Sequence, residues 1–173
     1  MGWNWTGKIV AVCSLFLFSG WEYYDDRAGN HGTELVIGDS IACGVADAGD
    51  LEYDCKIGLS PKGVLAMLKT YSPEKLKGRI VILSGGVSND PSQLSVVEQE
   101  LEYLDKAGAK VVILGVGQVI PDSQNINKLF GLYADHYGAI AVAGWYEVHP
   151  SNYRALLKFI RDQECREWRV CEI

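Results

Sequence analysis

Short apolar runs alternate along this chain with stretches whose apolar residues recur every three or four positions, and that alternation limits what it can fold into. The runs are Leu35-Val36-Ile37 and residues 51–57, 79–84, 110–114 and 139–143. Short apolar runs bounded by turn residues suit strands buried on both faces, whereas the alternating 51–57 suits a half-exposed strand at a sheet edge. Between them lie helical stripes. A run of small residues follows Ser40 as far as Ala48. Val64, Leu65, Met67 and Leu68 follow Pro61, a residue suited to the first helical position. Leu94, Val97, Leu101 and Leu104 share one face of the next helix, which opens at Pro91 and Ser92 and closes at Gly108. Ile126, Leu129, Phe130 and Tyr133 follow a cap at Asp122 or Ser123 and stop at Gly138. Tyr153, Leu156, Leu157 and Ile160 follow His149-Pro150-Ser151-Asn152. Strands alternating with helices imply a parallel sheet with right-handed crossovers.

The expected architecture is therefore α/β: a three-layer α/β/α domain over residues 34–173, with a five-stranded parallel sheet in the flavodoxin-like order 2-1-3-4-5. A composition of 48% hydrophobic and 22% charged residues suits a folded globular chain. The net charge of −6, with no Lys/Arg cluster, argues against a nucleic-acid partner.

Residues 1–33 read differently. Lys8 precedes an apolar run over 9–18, and a polar, aromatic stretch follows. The run is too short to span a bilayer, which takes about 20 apolar residues. Its length and the preceding cation fit a secretory signal, although Phe18 or Leu17 stands where a cleavage site wants a small residue. Three readings fit: a leader directing the chain to the cell envelope or outside the cell, an anchor touching the membrane through residues 9–20, or an extra core strand. The cysteines bear on the choice. Cys13 lies in this segment, and Cys43, Cys55, Cys165 and Cys171 could form two bridges in an oxidising compartment or stand as free thiols. Their spacing and that of the histidines match no zinc site, and no cofactor is expected.

Open α/β sheets bind ligands at the C-terminal ends of their strands. The loops there carry Ser40, Gly58, Asn89 and His149. A hydroxyl nucleophile needs a base, and imidazole has the fitting pKa, about 6.5. An oxyanion needs N–H donors, which the Ser40 amide, a glycine amide on the second loop and the Asn89 side chain could supply. Each residue also has a plainer reading. Ser40 could be a helix N-cap, Asn89 a cap for the helix near Pro91, and His149 a surface residue at a helix start. Trp145 and Tyr146 could pack over the sheet edge or line a groove for sugar rings. His31 and His136 carry no assigned role. A nucleotide-binding reading is weaker, because Gly115-Val116-Gly117 lacks the spacing of a dinucleotide fingerprint.

Three blocks in order give a resemblance. Gly38-Asp39-Ser40-Ile41, Gly86-Val87-Ser88-Asn89-Asp90 and Val148-His149-Pro150 resemble the blocks of the SGNH, or GDSL, hydrolases, over residues 34 to about 160. The second of these carries one extra residue between Gly and Asn. The resemblance implies a serine esterase that needs no metal or cofactor. Ser40 would be the nucleophile, His149 the base, and Ser40, Gly58 and Asn89 the oxyanion hole. Gly63 is the other glycine available, and Pro61 stands where some members have glycine. O-acetylated glycans and other small esters are the implied substrates. The family's acid, three residues before the histidine, is replaced by Tyr146. Glu147 could take over, a backbone carbonyl could orient a Ser–His dyad, or the chain could be a degenerate module that binds an acylated glycan without cleaving it.

Overall fold

The computed structural model describes residues 9–11 and 34–170. These form one parallel sheet from β1 (Ile9–Ala11), β2 (Glu34–Gly38), β3 (Glu52–Cys55), β4 (Ile80–Ser84), β5 (Lys110–Leu114) and β6 (Ile140–Ala143), in the spatial order β1-β6-β5-β4-β2-β3. From β2 onward the order is 2-1-3-4-5, as the alternating pattern predicts. β1 adds a parallel strand to the far edge, with Ile9 opposite Ala141 and Ala11 opposite Ala143. The leader and anchor readings of residues 1–33 otherwise fall outside the described residues. Among the described residues, no helix is long and apolar enough to cross a membrane.

The helices are α1 (Ser40–Gly49), α2 (Pro61–Leu68), α3 (Pro73–Leu76), α4 (Leu94–Lys106), α5 (Ser123–Tyr137) and α6 (Tyr153–Trp168), with a 3-10 turn at Pro91–Gln93 leading into α4. The strands alternate their side chains between two cores. Leu35, Ile37, Val81, Leu83, Val111 and Ile113 face α2, α4 and α5, where they meet Val64, Leu68, Val97, Leu101 and Phe130. Val36, Ile82, Val112, Leu114 and Val142 face α1 and α6, against Ile41, Val45, Leu157 and Ile160. Each fully buried aliphatic side chain contributes roughly 1.5–3 kcal/mol, so this two-sided burial holds the sheet. Edge strand β3 instead runs from exposed to half-buried.

Two devices place α1 firmly. The ring of Tyr153 on α6 fills the space where a side chain on Gly44 would be, and Leu157 does the same at Gly49. A disulfide joins Cys43 on α1 to Cys55 at the end of β3, with Cα atoms 5.5 Å apart. Cys165 is also disulfide-bonded, and Cys171 lies outside the described residues.

At the N-terminal end of the sheet, Glu164 of α6 is 3% exposed beside the Glu34 carboxyl, which accepts a 3.2 Å hydrogen bond from Arg161. Burial, then the negative charge of Glu34, pushes the Glu164 carboxyl up to about 8 from its ordinary 4.5. The folded chain therefore keeps a proton that the unfolded chain releases at lower pH, and stability falls as pH rises between these values. Urea titrations across that range should show the fall in the wild type and a flatter profile in Glu164→Gln. The Cys43–Cys55 bridge closes a sequence separation of 12 residues. Replacing both cysteines with alanine should lower urea stability by about 3 kcal/mol, the loop-entropy value for a ring of that size.

Candidate functional site

The end of β2 is shaped by a close approach. Gly38 has φ +143°, and a Cβ there would lie 2.1 Å from the Ser84 carbonyl oxygen of β4. Only glycine lets the two backbones come so near. The next residue, Asp39, is 1% exposed and gathers the site. Its Oδ1 accepts from the Ile41 amide at 3.0 Å and from the Ser84 hydroxyl at 2.7 Å. Its Oδ2 accepts from Asn89 Nδ2 at 3.2 Å. Burial pushes the Asp39 carboxyl above its ordinary range, against the opposing pull of bonds from Ser84, Ile41 and Ala42 and of the nearby His149.

Asp39, not Ser40, is thus the N-cap of α1. This corrects the plainer reading of Ser40 and frees its hydroxyl. Ser40 Oγ lies 2.8 Å from His149 Nε2, across 109 residues of chain. That is hydrogen-bond distance, and the hydroxyl donates when Nε2 carries no proton. The Ser40 amide, first in α1, has no acceptor within the helix.

The loop after β6 delivers His149. Gln118 N–H donates to the Trp145 carbonyl at 3.0 Å and Val119 N–H to the Tyr146 carbonyl at 2.9 Å. A Cβ on Gly117 would lie 1.6 Å from the Glu147 carbonyl oxygen, so the loop after β5 seats this one only because residue 117 has no side chain. Trp145 Nε1 donates to the Val148 carbonyl at 3.2 Å. Asn152 caps α6 through the Ala155 amide at 3.0 Å, which leaves His149 ahead of the helix. Tyr153, at the first turn of α6, is partly buried near Asp39, and burial and that charge push its hydroxyl up to about 12.

The remaining expected residues divide. Asn89 is not a helix cap, since Asp90 caps the 3-10 turn through the Ser92 amide at 3.2 Å. Its Nδ2 instead joins Asp39 to the Leu59 carbonyl, the latter at 3.0 Å, and so ties the loop after β4 to the loop after β3. Both amide protons are engaged there rather than aimed at an incoming oxyanion. Gly58 sits exposed in the turn closed by Leu59 N–H to Lys56 O at 3.2 Å, with φ +76°. Gly63 lies within α2, covered by the Leu59 side chain. Glu147 is exposed and has no hydrogen bond or ion pair with His149. Among the described residues, nothing is hydrogen-bonded to His149 Nδ1. Tyr146 is 71% exposed, and Trp145 packs on the α1–α6 core. His136 meets only Tyr137 edge-to-face among aromatic rings, and His31 lies outside the described residues.

Sequence reasoning overlooked Asp39 and Ser84 as a pair. The available signals were an N-cap residue directly after a strand glycine and a hydroxyl closing an apolar strand. Among the described residues no three His, Cys, Asp or Glu side chains gather as metal ligands. No protein-family model matches the chain, and no curated protein matches it.

The arrangement sets a serine hydroxyl against an imidazole beside the first amide of α1, at the C-terminal end of the sheet. Asp39→Asn tests how it is held. The amide oxygen can still accept from Ile41 and Ser84, but its NH2 would face the NH2 of Asn89. Stability should fall by about 1–3 kcal/mol, the cost of a buried donor left facing another donor. The Asn89 side-chain amide signal in NMR spectra should move and broaden.

Proposed function

We propose that this protein is a serine esterase of the SGNH type, acting on small acyl esters, acetyl esters on glycans among them. The single observation that carries the reading is the 2.8 Å contact between Ser40 Oγ and His149 Nε2. His149 takes the hydroxyl proton as Ser40 Oγ bonds to the ester carbonyl carbon. The tetrahedral intermediate collapses when His149 returns that proton to the departing alcohol, leaving an acyl-Ser40. Water, deprotonated by His149, then attacks the acyl carbon; the proton goes to Ser40 and the acid leaves. The Ser40 amide stabilises the oxyanion with the dipole of α1 behind it, and the Gly58 amide is the second donor. Asn89 becomes a third when its Nδ2 exchanges one resting partner for the oxyanion.

Among the described residues no carboxylate is hydrogen-bonded to Nδ1, and His149 works as a dyad base. In serine proteases, disabling the acid lowers kcat by about 10⁴-fold, so turnover here is slow but well above that of water. Asp39 assists at longer range, as a buried negative charge near the imidazolium. A short acyl group suits this site, since the connections after β2 and β3 are too short for a lid; Ile57, Val119, Tyr146 and Val148, on the loops after β3, β5 and β6, are exposed. The Cys43–Cys55 bridge supports a cell-envelope or extracellular location, since disulfides persist in oxidising compartments.

A second reading, a degenerate module that binds an acylated glycan, is favoured by the bare Nδ1 and by Tyr146 at the acid's position. A fluorophosphonate probe separates the two. Labelling at Ser40, p-nitrophenyl acetate turnover, and loss of both in Ser40→Ala are expected of the esterase. An unlabelled Ser40 with a folded protein would leave the binding module.

A further inference from the structure

The buried stripe of α4 contains one carboxyl where its pattern calls for an aliphatic side chain. Val97, Leu101 and Leu104 are 0% exposed, and so is Glu100. Neither Glu100 carboxyl oxygen has a hydrogen-bond partner. Oε2 lies 2.9 Å from where a Cβ on Gly85 would stand, so the carboxyl packs directly against the backbone leaving β4. Gly85 follows Ser84, whose hydroxyl Asp39 holds at 2.7 Å. An unpaired charge in such surroundings is costly enough that a carboxyl keeps its proton, and burial and the Asp39 charge both push Glu100 well above its ordinary range.

Among the described residues, Asp39 is the one charge that acts on Glu100. The titratable groups on the elements packed against α4 act elsewhere. Lys62 of α2 faces Asp90, Lys110 of β5 lies over Trp168, and Tyr133 and Tyr137 of α5 face Glu98.

We propose that Glu100 is a positioning residue for the Ser40–His149 pair. In its neutral form it leaves Asp39 as the single buried anion under the ends of β2 and β4. When ionised it sets a second negative charge beside Asp39 and loosens the bonds to Ile41, Ser84 and Asn89. The site then comes apart at alkaline pH. A serine–imidazole pair has no such limit of its own, because the imidazole is already in its base form there. The effect on turnover rests on the esterase reading; the effect on the Asp39 bonds does not.

The test is an NMR titration of the full chain from about pH 6 to about pH 10, alongside p-nitrophenyl acetate kinetics. In the wild type, the Ile41 backbone amide and the Asn89 side-chain amide should shift together at alkaline pH, with kcat/KM falling in step. In Glu100→Gln both signals should stay flat. The alkaline fall in kcat/KM should be lost, since Gln cannot ionise. Glu164→Gln, which removes the other raised carboxyl at the opposite end of the sheet, should behave as the wild type. If Glu100→Gln does not fold, Glu100→Leu gives the same readout. Glu164→Gln protein at neutral pH, free of that other raised carboxyl, should also show the infrared carbonyl band of a protonated acid. An alkaline transition at Ile41 and Asn89 that persists without Glu100, or is absent from the wild type, overturns the proposal. So does the lack of the protonated-acid band. A protein without esterase activity that still shows the Glu100-dependent transition would sink the esterase reading alone.

Discussion

The site is organised by one buried carboxylate. Asp39 joins the start of α1, the end of β4 and the loop carrying Asn89, and each bond is to a different segment. Charge-assisted hydrogen bonds of this kind are stronger than neutral ones, and a buried anion left unpaired would be expensive. The arrangement is therefore close to all-or-none. Once Asp39 is satisfied, Ser40 is fixed at the first turn of α1 with its hydroxyl free. The cost is the burial that pushes the Asp39 carboxyl upward.

His149 reaches this centre by a separate route. It is held by the seating of one loop on another, through backbone hydrogen bonds from Gln118 and Val119, and by α6 packing closely on α1. Neither brace involves a carboxylate on the imidazole. Ser40 is thus held by electrostatics and His149 by packing. A substitution at Gly117 would disturb His149 without touching the cap of α1.

Much of the fold was legible because periodicity reports burial directly. Strands buried on both faces read as apolar runs, and β3 alternates because it lies at an edge. The small helix α3 was not legible; Pro73 looks like a stop, yet proline also fits the first turn of a helix. Strand β1 was one of three readings for a short apolar run, and three residues of pairing leave little trace in a pattern. At the site, Ser40 and His149 were legible as types at strand ends. The caps were not: Asp39 and Ser40 are both good N-caps by residue type, and only coordinates decide which one turns inward.

The sequence by itself determined the layer architecture, the strand order and the set of chemistry-bearing residues at one edge of the sheet, because those follow from local pattern and the handedness of crossovers. Only the tertiary structure decided who meets whom. It paired Ser40 with His149, gave Asn89 to Asp39 and Leu59, left Glu147 away from the imidazole, and buried Glu100 under Gly85. Such meetings depend on ångström-scale approaches between segments far apart in the chain, and no local pattern records those distances.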